Sequence, residues 1–264
     1  MRLKLLLLFL LTGLLLSGCR PDDDNSLLDE ELDRVLTFIS GGAGRSFFRM
    51  PASGDYASIP QDPQNPITKA KVDLGRLLFH EPAQAGGQVR FSCASCHFAS
   101  AGFQAGRFQG IGEGGIGFGI NGEGRMKDPE YQVIDMDVQP IRSPAALNTA
   151  FQELMLWNGQ FGSTGMNIGT EYAWSAGTPK ENNHLGFHGV ETQAIAGLKV
   201  HRLKAIREFI ENTGYKPMYD AAFPEVPEQD RYSAITTGLA IAAYERTLLA
   251  NESPWQQWLR GKSN

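Results

Sequence analysis

Hydrophobic residues recur at helical spacing in several stretches of the chain. The first such stretch follows Ser26, has an acidic first turn and ends before a pair of glycines, as an amphipathic helix does. Thr68 is placed to cap a second helix, and Ser143-Pro144 is placed to start a third, because proline is tolerated at the first helical position. The predicted helices are 27–39, 69–79, 144–157, a helix near Glu191, 203–210 and 232–249.

The stretches between these helices contain little alternation of polar and apolar residues. Prolines at positions 51, 60, 63 and 66 indicate an extended arm on the protein surface, and residues 102–124 are rich in glycine. A further loop is predicted at 158–190. The pattern therefore predicts a mainly α protein with long ordered loops.

The N-terminus has the features of an export signal. Arg2 and Lys4 precede an apolar run, 5–16, that is too short to span a membrane. The sequence Leu16-Ser-Gly-Cys19 is similar to the lipobox of bacterial lipoproteins, in which the cysteine is acylated. We therefore predict a lipoprotein signal peptide at 1–18, lipidation of Cys19, and a tether, short helix and extended arm over 19–66. An ordinary signal peptide that is cleaved elsewhere is the alternative.

The most specific chemical motif is Cys93-Ala-Ser-Cys96-His97, the C-x-x-C-H spacing of covalent haem attachment. Each thiol can form a thioether to one vinyl group, and the histidine that follows can ligate the iron. A zinc site, a thioredoxin-like redox pair and chance are the alternatives. Zinc needs four ligands and the chain lacks a second cysteine pair, whereas a redox pair is expected after a strand in a βαβ pattern, and none precedes Phe91.

Cysteine content and charge restrict the other functions. The chain has three cysteines, so lipid takes one, haem takes two, and no thiol is left for a disulfide bond. Without the two basic residues of the signal peptide, 22 basic and 29 acidic residues give a net charge of −7. This balance argues against a nucleic-acid partner and favours a basic or locally basic electron donor.

The glycine-rich stretch contains Gly110-x-Gly112-x-x-Gly115, the letters of a dinucleotide-binding fingerprint. No strand precedes these glycines and no amphipathic helix follows them. We therefore interpret the stretch as a loop that lies close to the haem, where side chains would collide.

Several motifs together resemble the bacterial di-haem cytochrome c peroxidase family, which includes the MauG-type enzymes. The resemblance runs from about Pro66 to Gly261, and six motifs occur in the family's order. They are 71–79, the haem motif 91–97, Ile111-Gly-Glu-Gly114, Arg142-Ser-Pro-Ala-Ala-Leu-Asn148 with Trp157-Asn-Gly159, Gln193-Ala194, and Tyr244-Glu-Arg-Thr-Leu248.

The resemblance implies a cytochrome c-like haem domain over 67–262, matching the family's N-terminal, peroxidatic domain. Relatives carry a second C-x-x-C-H domain, and this chain ends where that domain begins. An incomplete record, a split gene and a one-haem protein all explain this ending. The expected cofactor is one covalent haem c. Trp157 matches a tryptophan that passes electrons between the two haems of relatives, and a core aromatic is the alternative.

Two departures from the family affect the expected proton chemistry. Glu113 stands where many members have a distal histidine ligand, so the iron is expected to be open. Glu113 is a candidate acid–base group if burial raises its pKa, and a solvated loop carboxylate is the alternative. His201 lies nearest the family's catalytic glutamate, with a two-residue gap. It is a candidate proton carrier, an iron ligand or a plain surface histidine. His184 and His188 are weaker candidates of the same kind.

The resemblance implies an oxidoreductase that reduces hydrogen peroxide to water. Electrons would come from a cytochrome or cupredoxin, or through a second haem domain or subunit. The expected location is the periplasm, with a lipid anchor in the outer membrane. The alternatives are a one-haem electron carrier without peroxidase activity, MauG-like oxidation of a protein side chain, and a remnant domain that binds haem for structure only.

Overall fold

The computed structural model describes residues 26–85, 91–119, 122–204 and 207–262. The chain divides into two compact units, one formed by the residues up to Arg49 together with Glu252–Asn264, and the other formed by Met50–Asn251. The predicted signal peptide and the lipidation site Cys19 lie outside the described residues. No helix in the described ranges is long and apolar enough to cross a membrane.

Helices dominate the described residues, which confirms the mainly α prediction. The α-helices are α1 (Ser26–Ile39), α2 (Lys69–His80), α3 (Gly189–Val200), α4 (Arg207–Asn212), α5 (Lys216–Ala222), α6 (Glu228–Arg231), α7 (Ala234–Arg246) and α8 (Pro254–Leu259). An antiparallel ribbon pairs β1 (Gly115–Ile116) with β2 (Met126–Lys127). Short 3₁₀ segments lie at Gly44–Phe48, Tyr56–Ser58, Pro82–Ala85, Cys93–Ser95, Ala99–Ala101, Val133–Asp135, Thr149–Phe151, Gly165–Asn167, Glu171–Ala173 and Pro179–Leu185.

The core of the larger unit is built around α7, which is buried on nearly all sides. Such a helix must be apolar or paired around its whole circumference, and it takes neighbours on several faces. Both α2 and α3 pack against it, and α2 also contacts α5 and the Cys93–Ser95 turn. The helices α2 and α7 approach each other so closely that a Cβ at Gly75 would clash with the carbonyl oxygen of Ala240. This packing places α2 and α7 beside the haem motif.

Local sequence signals predict the ends of several helices correctly. The Thr68 hydroxyl accepts a hydrogen bond of 3.2 Å from Lys71 N at the start of α2, as predicted. Ser233 caps α7 in the same way and forms a reciprocal capping box with Thr236. The predicted helix at 27–39 is confirmed by α1 and the predicted helix at 232–249 by α7, while only Arg207–Asn212 of the region around 203–210 is described as helical.

The predicted helix at 144–157 is wrong. Within it only Thr149–Phe151 forms a 3₁₀ turn, and both Asn148 (φ 63°) and Leu156 (φ 67°) have left-handed backbone conformations. Distant backbone groups replace the helical hydrogen bonds. Asn148 N donates to the Leu248 carbonyl at 2.7 Å, and the Asn148 side chain accepts from Ala250 N at 2.8 Å. Tertiary bonds therefore override the helical periodicity.

The proline-rich arm also differs from its prediction, because parts of it are buried rather than lying on the surface. Ile59, Asp62 and Asn65 are at most 2% exposed. Asp62 accepts a 2.6 Å hydrogen bond from His188 N, and Asn65 donates to the Leu239 carbonyl at 3.0 Å. The arm is therefore an integral part of the larger unit's core.

The smaller unit is held by polar contacts to tryptophan and backbone groups. The Arg45 guanidinium pairs with Asp33 and stacks on the Trp258 ring, 3.8 Å from its centroid. Arg49 donates to the Leu259 carbonyl at 2.8 Å. These contacts join the N-terminal residues of this unit to α8.

Candidate functional site

A cavity of about 220 Å³ in the larger unit is lined by all three residues of the haem motif. Cys93 and Cys96 lie on a 3₁₀ turn that a Ser92–Ser95 capping box starts, and His97 N donates back to the Cys93 carbonyl at 3.0 Å. This tight turn brings both thiols and the imidazole to one wall of the cavity. The structure thereby assembles the three residues that the sequence singled out.

His97 is held in a form suited to metal ligation. Its Nδ1 lies 3.0 Å from the Phe103 carbonyl oxygen, so Nδ1 carries the proton and donates it, and Nε2 remains available. Burial lowers the pKa of His97, against the opposing effect of the Phe103 hydrogen bond. The ring lies 6.2 Å from the Phe79 ring centroid. His97 therefore offers a neutral, oriented nitrogen, and a hydrogen bond to the other nitrogen is the usual support for such a ligand.

The two thiols differ from those of a thioredoxin-like redox pair in the direction of their pKa shift. Burial raises the pKa of Cys93 to about 12 and that of Cys96 to about 11. Thioredoxin-like cysteines have a lowered pKa because the thiolate is the nucleophile. The zinc alternative also finds no support, since the described residues contain no group of three or more His, Cys, Asp or Glu side chains arranged to hold a metal.

Two further features next to the haem motif bear on what this cavity could hold. A Cβ at Gly110 would lie 2.6 Å from Cys96 Sγ and 3.0 Å from Ser143 Oγ, so this wall has room only because residue 110 is glycine. Ser143 Oγ and Glu245 Oε2 are buried among the cavity-lining residues without a hydrogen-bond partner in the protein. The two thiols and the imidazole of His97 have the side-chain chemistry that covalent attachment and ligation of a haem c require.

His201 lines the same cavity, at the C-terminal end of α3. Its Nδ1 lies 3.0 Å from Asp137 Oδ2 and 3.2 Å from Gln139 Nε2. The side chain is 34% exposed, so it reaches solvent as well as the cavity. Neither Asp137 nor Gln139 was singled out from the sequence, because each lies more than 60 residues from His201 along the chain.

The structure corrects the interpretation of Glu113. Burial raises its pKa, but hydrogen bonds from Arg202 and Tyr131 outweigh that effect and hold the pKa below its usual value. Arg202 Nη1 lies 2.6 Å from Glu113 Oε2. Glu113 is not among the described residues that line the cavity. Its carboxylate is therefore an ion-pair partner and does not act as a proton donor with a raised pKa.

The other candidate residues lie away from the cavity walls. Trp157 is fully exposed, so the core-aromatic interpretation is wrong, while its role in electron transfer stays a prediction. The His184 ring packs on Trp174 at 5.1 Å and bonds to that residue's carbonyl. His188 holds Asp62 through its backbone nitrogen.

Glu245 is a cavity residue that sequence reasoning missed, although it lies inside the Tyr244-Glu-Arg motif. Burial raises its pKa to about 8 from an ordinary value of 4.5, and the nearby Glu191 raises it further, while Arg246 lowers it. At neutral pH this carboxyl group is therefore mostly protonated.

We expect the raised pKa of Glu245 to make stability fall as pH rises from 5 to 8. In that window the unfolded chain releases a proton that the folded chain keeps, so the free energy of unfolding decreases by up to about 4 kcal/mol. Glu245→Gln removes this loss and is more stable than the wild type at pH 8. Urea unfolding at pH 5 and at pH 8 measures the free energy of unfolding of both proteins. Glu130→Gln, at an exposed position, is the control. Parallel pH dependence in Glu245→Gln and the wild type would contradict the assignment.

Comparison with known proteins identifies the family of the chain. The family model described as di-haem cytochrome c peroxidase matches residues 69–264. The chain is 28% identical over 215 residues to a methylamine utilization protein MauG of Methylorubrum extorquens, covering 81% of this chain and 46% of that protein. It is 26% identical over 239 residues to the cytochrome c peroxidase Ccp of Escherichia coli K12, covering 89% and 42%.

The chain therefore spans about half the length of the curated relatives it matches. A solved structure of a MauG-like protein associated with microbial copper homeostasis aligns with a TM-score of 0.49 at 21% identity, covering 81% of this chain and 50% of that one. The family model covers most of the chain, including the haem motif and the cavity. The chain belongs to the di-haem cytochrome c peroxidase family.

Proposed function

We propose that this protein is a c-type haem oxidoreductase that reduces hydrogen peroxide to water, with the balance H₂O₂ + 2e⁻ + 2H⁺ → 2H₂O. The observation that carries the proposal is a single cavity lined by the Cys93–Cys96–His97 motif and by a second histidine, His201. Relatives named as cytochrome c peroxidases support the same reaction.

The residues of the motif bind and orient the cofactor. Cys93 and Cys96 would hold a haem by two thioethers, and His97 Nε2 would ligate its iron. The bound haem supplies the redox-active centre at which the O–O bond is reduced. Phe103 keeps the proton on His97 Nδ1 through its carbonyl, which orients the ring and raises its basicity as a ligand.

His201 manages the protons in this proposal. With Nδ1 engaged by Asp137, Nε2 is the nitrogen left to take the proton of a bound peroxide and return it to the oxygen that leaves as water. A positioned base of this kind typically contributes 10²- to 10⁴-fold to a rate. The exposure of His201 also allows its proton to exchange with solvent.

The two electrons would come from a cytochrome or cupredoxin, directly or through a second haem domain or subunit. Trp157 is fully exposed, which makes its indole ring accessible to such a partner. An acidic chain favours a donor with a basic or locally basic docking face. We place the protein in the periplasm, anchored at the outer membrane through lipidated Cys19, on the strength of the N-terminal sequence.

The test is the reaction of the ferric holoprotein with hydrogen peroxide, followed by stopped-flow absorbance. We expect a high-spin ferric spectrum, a rapid reaction, and a rate about 10²- to 10⁴-fold lower in His201→Ala, because the proton carrier is lost. His80→Ala is the matched control, since His80 is exposed and its ring hydrogen-bonds to the Arg76 carbonyl within its own helix. A low-spin wild-type spectrum that peroxide does not change would instead support the one-haem electron carrier.

A further inference from the structure

We propose that Asp137 is a positioning residue for His201, and that Gly112 is glycine in order to admit the Asp137 carboxylate. The pair would fix which nitrogen of His201 carries the proton and where the ring points. This inference rests on the proposed function, in which His201 carries a proton in the cavity. It assigns a role to two residues that the haem motif does not include.

The hydrogen bonds around Asp137 select one tautomer of His201. Asp137 Oδ2 lies 3.0 Å from His201 Nδ1, and a carboxylate can only accept, so Nδ1 carries the hydrogen. Gln139 Nε2 lies 3.3 Å from the other oxygen, Oδ1, and 3.2 Å from His201 Nδ1. An amide nitrogen only donates, so with Nδ1 protonated the hydrogen of Gln139 goes to Oδ1. Both carboxylate oxygens are thus engaged, and His201 Nε2 is left as the unprotonated nitrogen. The same carboxylate offsets the positive charge that the ring gains when Nε2 takes a proton.

The backbone fixes Asp137 against the glycine loop from both directions. Asp137 N donates to the Glu113 carbonyl at 3.0 Å, and Gly112 N donates to the Asp137 carbonyl at 2.8 Å. Arg125 in turn holds the Gly112 carbonyl at 2.6 Å and the Ile111 carbonyl at 2.6 Å. The Asp137 side chain is only 12% exposed. The carboxylate therefore starts from a rigid, largely buried position, as a group that orients another must.

Gly112 leaves the space that the carboxylate occupies. A Cβ at position 112 would clash with Asp137 Oδ2, the same oxygen that faces His201. The backbone at Gly112 does not adopt a left-handed conformation, so alanine is tolerated there by the main chain. Gly112→Ala is therefore expected to displace the carboxylate from His201 without straining the loop.

A second contact holds the backbone of His201 to the same loop. The next residue, Arg202, has φ 55° and donates to Glu113 Oε2 and to the Asp135 carbonyl, both at 2.6 Å. The end of α3 is thereby fastened to the segment that carries Asp137. The ion pair of Glu113, which does not reach the cavity, serves this attachment.

One experiment measures which tautomer His201 adopts, and a second measures whether His201 acts as a base. In the diamagnetic ferrous–CO holoprotein, ¹⁵N NMR of His201 is expected to show one tautomer, protonated at Nδ1. Asp137→Asn is expected to give a mixture, because an amide can donate as well as accept. An unchanged tautomer in Asp137→Asn would overturn the proposal. The visible spectrum and the circular dichroism of Asp137→Asn are expected to match those of the wild type.

Cyanide binding to the ferric holoprotein reports on the base without peroxide chemistry, because neutral HCN must lose its proton on binding. Asp137→Asn is expected to slow association about 10- to 100-fold, the range typical of groups that orient a functional side chain. In a His201→Ala background the same substitution is expected to change the rate less than about twofold, since the two residues act as one unit. Equal slowing in both backgrounds would overturn the proposal.

Gly112→Ala provides a second variant should Asp137→Asn fail to fold. It is expected to reproduce the mixed tautomer and the slower cyanide binding, with Gly54→Ala as control because a Cβ at Gly54 meets no atom within 4 Å. If His201→Ala binds cyanide and reduces peroxide at wild-type rates while Asp137→Asn still shifts the tautomer, the positioning stands and the proton role in the proposed function fails. The two failures are therefore distinguishable.

Discussion

A chain in which Cys93 and Cys96 are both replaced by alanine is expected to contain no covalently bound haem, whereas the wild type is expected to carry one per chain. Both thiols line the cavity and are protonated at neutral pH, so each can add its S–H across a vinyl group. Without thioethers, any haem would be held by His97 alone and would be removed by acid extraction. Intact-protein mass and Soret absorbance after extraction in acidified acetone measure the loss.

The single variants Cys93→Ala and Cys96→Ala are the matched controls, because each keeps one thiol and thus one possible thioether. We expect both to retain part of their haem through extraction. His97→Ala separates attachment from ligation, since it keeps both thiols and removes the axial nitrogen. Its expected result is haem that is still covalent but has an altered ferric spectrum. Haem that stays attached to the double alanine variant would contradict the assignment of this cavity.

The parts of the fold and site that the sequence predicts are those set by neighbouring residues. The C-x-x-C-H turn closes within five residues, and the Thr68 cap acts on Lys71, only three residues away. Both appear in the structure as predicted. Hydrophobic spacing also locates α1, α2 and α7 within a few residues of their ends, because that spacing is a signal carried by neighbouring residues.

The parts that the sequence does not predict depend on contacts between distant residues. The helical pattern at 144–157 fails because Asn148 bonds to Leu248 and Ala250, which the periodicity cannot reveal. The pKa of Glu113 depends on Arg202, which lies 89 residues away along the chain. Burial raises this pKa, and the hydrogen bond from Arg202 lowers it. The composition of the loop predicts an exposed carboxylate whether or not Arg202 lies beside it.

The buried ion pair between Glu191 and Arg246 is another long-range contact that the sequence did not indicate. Arg246 Nε and Nη2 lie 2.8 and 2.6 Å from the two oxygens of Glu191, and the side chains are 2% and 0% exposed. Arg246 Nη1 also donates to the Pro60 carbonyl at 3.1 Å. The pair joins the proline-rich arm to α3 and α7, and both of these helices contribute residues to the cavity.

Arg246→Met is expected to lower the free energy of unfolding by about 3–5 kcal/mol, because it leaves the Glu191 carboxylate buried without its positively charged partner. Glu191→Gln is expected to be destabilising for the converse reason, since it leaves a buried guanidinium with an amide oxygen in place of its carboxylate partner. Guanidinium chloride unfolding of the holoprotein, followed by far-UV circular dichroism, measures both. The exposed pair Lys69–Asp73 is the control, and Lys69→Gln is expected to leave the free energy of unfolding almost unchanged.

The double variant Glu191→Leu/Arg246→Met decides whether the loss comes from the pair or from the stranded charge. Removing both charges at once takes away two desolvation penalties together with the attraction, so most of the lost stability is expected to return. Strong non-additivity of this kind requires direct contact between the two side chains. If the double variant is instead as unstable as the sum of the single ones, the Pro60 contact of Arg246 holds the arm in place and the ion pair contributes little.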